Sequence, residues 1–246
     1  MPDGVKIEMR GLANGSFVIP PVTNGLKAWH WTRDSAAAAA YNWAKGGLPA
    51  EIIGSPGFSE PGCMEIDTNV NFLRLAAAEG AAFTWMVTFK NNDDLTSSAS
   101  TQPMLMSTYN GSSGVALWIS NHASASLPQA RGRAIIYSNT GQVLAVNIAD
   151  IGPVRVLILR CAGTASGSAI SIRELIEAVP NASTLSATRT ASGRQIEVGG
   201  YYTSTFQGTS LIYQLGVWDQ AVTDSETADL LAFMVNDLTL SGIPTS

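Results

Sequence analysis

Charge, cysteine and histidine are all scarce in this sequence. Charged residues make up 13% of the 246 positions, against 46% hydrophobic. The surface must therefore be covered mainly by Ser, Thr, Asn, Gln and Gly, and a charge-rich disordered chain is excluded. The few charges lean acidic, with 14 Lys and Arg against 19 Asp and Glu and no basic cluster. Nucleic acid and anionic membranes, which are held through counterion release, are not expected partners. Two cysteines, Cys63 and Cys161, are too few for a disulfide framework and lie in no metal-ligand spacing; both are expected to be small buried thiols. His30 and His122 are the only histidines, and no Gly-x-Ser-x-Gly elbow accompanies them, so a histidine-based active site has little to build on. No apolar run is long enough to span a bilayer. Met1-Pro2-Asp3-Gly4 starts no signal peptide, which leads us to expect synthesis in a cytoplasm.

What is present is a succession of short strands and turns. The length suits one large all-β domain or two small ones. Residues 1–24 look like an arm: Val5 to Arg10 alternates, then Gly11, Asn14, Gly15, Pro20 and Pro21 interrupt it. Such a segment can form an edge strand or lie on a neighbouring subunit. From Gly25 onward, strands are expected at Leu26 to Trp31, Ile52-Ile53, Met64 to Asp67, Asn71 to Leu75 and Pro103 to Tyr109. More follow at Val115 to Ser120, Arg133 to Ser138, Gln142 to Ile148, Val154 to Arg160, Ala169 to Leu175 and Arg194 to Val198. Alternation is clearest from Ala82 to Lys90, where Phe83, Trp85, Val87 and Phe89 share one face. The Ala-rich stretch Ser35 to Ala44 could make a short helix or a loop, and Arg173 to Val179 could be strand or helix. Trp29, Trp31 and Trp85 are expected in the core.

The run Leu211 to Met234 changes period halfway along. Leu211, Tyr213, Leu215 and Val217 form the apolar side of a last strand, expected to face the core, with Ile212, Gln214, Gly216 and Trp218 opposite. Thr223-Asp224-Ser225-Glu226 then has capping-box spacing, and Asp224 and Glu226 suit the positive end of a helix. Leu230, Leu231 and Met234 follow at helical spacing, placed to cover an open edge of the sheets.

The order Arg194 to Gly199-Gly200, Phe206-Gln207-Gly208, a strand through Trp218 and then Thr223 to Glu226 resembles the closing half of a concanavalin A-like, laminin-G-like jelly roll. Gly25 to Trp29, Ile53-Gly54-Ser55-Pro56 and Phe83 to Val87 resemble its opening half. The resemblance implies an all-β, antiparallel jelly-roll β-sandwich over residues 25–238, with a short C-terminal capping helix and a tail at 239–246. It fixes fold better than activity.

The family includes glycan hydrolases, so paired carboxylates matter: retaining hydrolysis needs two of them roughly 5 Å apart. Glu65 and Asp67 share a strand face, but Asn69 and Val70 stand where the second glutamate should be. No enzymatic activity is expected on that mechanism. Calcium is the one ion the chain could hold, through hard oxygens of Asn91, Asp93 and Asp94, a run that also reads as an ordinary turn. Sugar recognition needs an aromatic platform with polar groups beside it. Tyr201 and Tyr202, in a Gly/Ser/Thr-rich loop, are the first candidates, and Trp118 with Ser120 and Asn121 the second. Single lectin-like domains of this composition resemble virion proteins of tailed bacteriophages, located on capsid or tail. That implies virion proteins and copies of itself as partners, in a trimer for instance, with a host glycan as ligand.

Overall fold

The computed structural model describes residues 6–7, 17–91, 95, 101–121, 130–137, 141–148, 153–175, 180–240 and 242–243. Its strands are β1 (Lys6–Ile7), β2 (Phe17–Val18), β3 (Leu26–Trp31), β4 (Glu51–Ile53), β5 (Met64–Asp67), β6 (Phe72–Ala78), β7 (Phe83–Asn91) and β8 (Met104–Ser107). They continue as β9 (Gly114–Asn121), β10 (Ala130–Tyr137), β11 (Gly141–Ile148), β12 (Arg155–Cys161), β13 (Ala169–Glu174), β14 (Asn181–Thr184), β15 (Gln195–Val198) and β16 (Thr209–Trp218). Two helices, α1 (Ala36–Ala40) and α2 (Asp224–Leu240), complete the set. β1 pairs only with β2, in a two-stranded sheet of its own.

Two antiparallel sheets of seven strands each form a jelly-roll sandwich. The first, the roofed sheet, runs β14-β13-β12-β7-β16-β3, with β5 also paired to β16. The second, the open sheet, runs β11-β10-β9-β8-β15-β6-β4. The main core lies between them. Phe83, Trp85, Val87 and Phe89 face inward from β7, as their alternation demands, and meet Leu105, Leu117, Ile136, Val146 and Ile196 of the open sheet within one buried cluster. At one side, Gln142 of β11 bonds to Ser183 and Thr184 of β14, and the Asn181 amide donates to the Ala145 carbonyl, tying the two sheet edges together.

The roofed sheet is buried on both faces across β12, β7 and β16, where the face assignment of β16 needs correcting. A β-bulge between Ile212 and Gln214 inserts one residue against β7. The extra residue breaks strict alternation. Ile212, Leu215 and Val217 therefore face the main core, while Leu211, Tyr213 and Trp218 lie on the outer side in a second cluster. Trp29 and Trp31 are buried there too, not between the sheets. Over them lies α2, through Leu230, Leu231, Met234 and Leu238. The helix covers a sheet face, not an open edge: four apolar side chains at helical spacing make a stripe wide enough for a face. Its capping box forms as the sequence predicts, with the Thr223 amide donating to Glu226 Oε2 at 2.7 Å and the Glu226 amide to Thr223 Oγ1 at 3.2 Å. Gly216 has no room for a side chain: a Cβ there would stand 2.6 Å from the Trp218 ring and 2.9 Å from Trp29.

α1 is the short helix allowed by the Ala-rich stretch, capped by Ser35, whose hydroxyl accepts from the Ala38 amide. Ala169–Glu174 is strand, and residues 176–179 lie outside the described set. β14 was not foreseen. At one end of the sandwich, the buried side chains of Arg189 and Glu79 form an ion pair. The guanidinium also donates to the carbonyls of Gly80, Ala81 and Gly163, and Thr108 Oγ1 donates to Glu79 Oε2 at 2.5 Å. With its remaining polar atoms bonded, the pair escapes the usual desolvation penalty of a half-satisfied buried charge.

Candidate functional site

The outer face of the open sheet carries a second aromatic cluster, and no helix among the described residues covers it. β9 presents Ala116 and Trp118 there, and Met104 of β8 lies beside them. After β15, Gly199 turns the chain at φ +87°, where a Cβ would strike Ile66, and the 200–208 loop crosses the sheet. This loop brings Tyr201, Tyr202 and Phe206 against the strand residues. Ring centroids are 5.0 Å apart for Tyr201–Tyr202, 4.9 Å for Tyr201–Phe206 and 5.7 Å for Trp118–Phe206. Tyr109 joins them, stacked on Tyr201 at 5.8 Å and edge-on to Tyr202 at 4.8 Å.

The two sugar-site candidates, far apart in the chain, thus belong to one patch. Trp118 is 8% exposed and supports the patch from below; Tyr202 is 44% exposed and forms its outer surface. Tyr109 and Phe206 were not singled out in the sequence. The Phe206-Gln207-Gly208 motif was the available signal for one of them, and no local pattern marks the other. Asn121 ends β9 opposite Ala130 in the backbone register. Ser120 is buried.

Asn69 holds the loop in place. It adopts φ +67°, the left-handed region that Asn tolerates better than most residues. Its side-chain amide donates to the carbonyls of Thr203 (2.6 Å) and Phe206 (3.3 Å), and its oxygen accepts from the Tyr201 amide at 2.6 Å. Asn69, one of the two residues that stand where the hydrolase resemblance expects a second glutamate, is thereby the anchor of the aromatic loop.

Beside the aromatics runs a charged ladder. Arg74 bridges Glu51 (3.0 Å) and Glu197 (3.1 Å), and Arg194 meets the other Glu197 oxygen at 3.2 Å. Arg194 also donates to the Tyr109 carbonyl at 2.8 Å, which ties the ladder to the aromatic patch.

The remaining sequence candidates lie elsewhere. Glu65 and Asp67 share a half-buried face of β5, where Glu65 accepts from the Ser59 hydroxyl. His30 is fully buried on β3. Nδ1 donates to the Ala39 carbonyl at 3.0 Å, and burial pushes the pKa down to about 4. His122 lies outside the described residues. Cys63 and Cys161 are buried free thiols; burial raises Cys63 to about 11 and Cys161 in the same direction, so neither is a thiolate near neutral pH. Asn91 is buried at the end of β7, and Asp93 and Asp94 of the calcium candidate lie outside the described residues. Among the described residues, no group of three or more His, Cys, Asp or Glu side chains could hold a metal.

No family model and no curated protein matches the sequence. Solved structures do match in fold. The binding domain of botulinum neurotoxin DC in complex with SialylT superposes with a TM-score of 0.61 at 8% identity, covering 86% of this chain and 52% of that one. The receptor-binding domain of the botulinum neurotoxin C/D mosaic serotype gives 0.60 at 8%, covering 90% and 52%. The binding domain of neurotoxin DC in complex with rat synaptotagmin II gives 0.58 at 9%, covering 87% and 52%. The chain spans about half the length of these structures, and at such identity the likeness is one of fold.

Proposed function

We propose that this chain is a non-catalytic, lectin-like contact module whose glycan platform is the uncovered aromatic cluster on the open sheet. The observation that carries the reading is the convergence of Tyr201, Tyr202, Tyr109, Phe206 and Trp118 on a sheet face that no helix of the described residues roofs. Aromatic rings with polar tips suit the apolar faces and hydroxyls of sugar rings. The matched toxin domains support it: they are binding domains, solved with SialylT and with rat synaptotagmin II. The non-catalytic part is supported by Asn69, committed to the loop, and by Glu197, whose oxygens both meet guanidinium groups. Glycan-array binding by the wild type, lost in Tyr202→Ala while the fold is retained, is the expected result. Activity on a polysaccharide that disappears in Glu65→Gln would overturn the non-catalytic reading.

The setting we propose is a bacteriophage virion, on capsid or tail, where the module adheres to host glycans and docks on its neighbours, as a trimer for instance, through residues 1–24. A surface rich in uncharged polar residues and a β1–β2 hairpin paired to neither large sheet support that placement. Deleting residues 1–24 is expected to abolish incorporation into particles; normal incorporation would sink the docking role.

A further inference from the structure

The open sheet is electrostatically lopsided. Its β4-β6-β15 side carries the ladder in which Arg74 and Arg194 are matched by Glu51 and Glu197. Its other side, β8 to β11, is built from a stretch with no acidic residue at all: none occurs between Asp94 and Asp150. The only charged residues in that stretch are Arg131 and Arg133, both on β10. Arg133 pairs directly across from Trp118 in the β9–β10 register. Directly opposed residues project to the same face with Cβ atoms about 5 Å apart, which sets Arg133 at the edge of the aromatic patch. Ile135, two positions along β10, packs against that same patch. Among the described residues no carboxylate forms an ion pair with Arg133, and its Nε is buried without a hydrogen-bond partner. The segment 122–129 that joins β9 to β10 contains no Asp or Glu either.

In a chain of net charge −5 this is a cationic spot that no carboxylate of the described residues neutralises. A guanidinium presents planar, paired donors that match carboxylate and sulfate oxygens, and it stays charged at any working pH. We propose that Arg133 is the specificity determinant of the platform and that the glycan it selects is anionic. The sugar stacks at Tyr201 and Tyr202, runs along the patch that Trp118 supports from below, and places its acidic group at Arg133. A ligand engaging both ends is therefore an oligosaccharide. This inference rests on the platform reading given above.

The test is an array of oligosaccharides in matched neutral, carboxylated and sulfated forms, probed with the full chain and with three variants. The wild type is expected to bind anionic forms at least tenfold more tightly than their neutral counterparts, with the preference weakening as salt is raised. Arg133→Gln should lose that preference and keep neutral binding; Arg133→Lys should keep part of it; Tyr202→Ala should lose both. The carboxylated and sulfated arms identify which acid is read, and preference for either supports the proposal. Equal binding of neutral and anionic forms, or a preference that survives in Arg133→Gln, would overturn the role of Arg133 and leave the platform standing. Capture of no glycan would overturn the platform and this inference with it.

Discussion

Each sheet of the sandwich bears an aromatic cluster on its outer face, and the two clusters have opposite fates. On the roofed sheet, Trp29 meets Trp31, Trp218 and Phe233 at centroid distances of 6.4, 6.2 and 6.1 Å, and α2 seals them. Trp218 Nε1 donates to the Val22 carbonyl inside that seal. On the open sheet the rings are as closely spaced, yet Tyr202 stays exposed and the cluster is bordered by Arg133, which no carboxylate of the described residues pairs. Residue type alone does not separate the two. The difference is an amphipathic helix, α2, that among the described residues covers one face and not the other. Buried aromatics there contribute stability, whereas aromatics left at a surface offer area to a ligand.

The comparison can be broken most sharply by paired truncations. Trp29→Ala, on the roofed face, should cost about 3–5 kcal/mol, read as a lowered urea midpoint. Tyr202→Ala, on the open face, should stay within about 0.5 kcal/mol while removing glycan binding. Equal destabilisation by the two would erase the distinction.

Acid should act on the roofed sheet next. His30 lies on its strand β3 and is held neutral by burial, with a folded pKa near 4 against an ordinary 6.5. The unfolded chain therefore takes up a proton first. The stability this neutrality contributes is complete above pH 6.5 and is lost as pH falls towards 4, by roughly 3 kcal/mol at most. Asp237 of α2, raised by its own burial, acts in the opposite direction, since its protonation favours the folded state. Unfolding free energies measured from pH 7 to 4 should fall, and should fall less in His30→Gln.

A smaller effect on stability than that of Trp29→Ala or of acid belongs to the anchor of the open face. Asn69→Ala removes three hydrogen bonds to the 200–208 loop and should cost about 1–2 kcal/mol. Glycan affinity should fall by a larger factor than the loss of stability implies, because the tyrosines lose their fixed positions. Unchanged affinity would mean that the loop does not carry the platform.

Much of the fold could be read along the chain, because strands and caps are written locally. The alternation of Phe83, Trp85, Val87 and Phe89 specified its inner face, and Thr223 with Glu226 specified the start of α2. β14 stayed hidden because Asn-Ala-Ser-Thr, exposed at every position, has no apolar period to betray it. The bulge at Tyr213 was hidden because a single inserted residue leaves no compositional trace, yet it changes which side chains face inward. The candidate site was legible only in pieces. Tyr201, Tyr202 and Trp118 stood out as aromatics among polar neighbours, but their union depends on pairing β15 with β8 and on Asn69 stapling the loop across them. Arg133 enters through strand register alone, and Tyr109 through the turn that follows β8.

The salt link between Glu79 and Arg189 has a kinetic corollary. Its partners are 110 residues apart, and it draws in peptide carbonyls of two separate connections and the hydroxyl of Thr108 from a third. Such a long-range tie closes late, after local pairing has already bent the chain back on itself. It should therefore be absent from the folding transition state and act as a latch: cutting it would speed escape from the native state and leave the rate of arrival almost untouched.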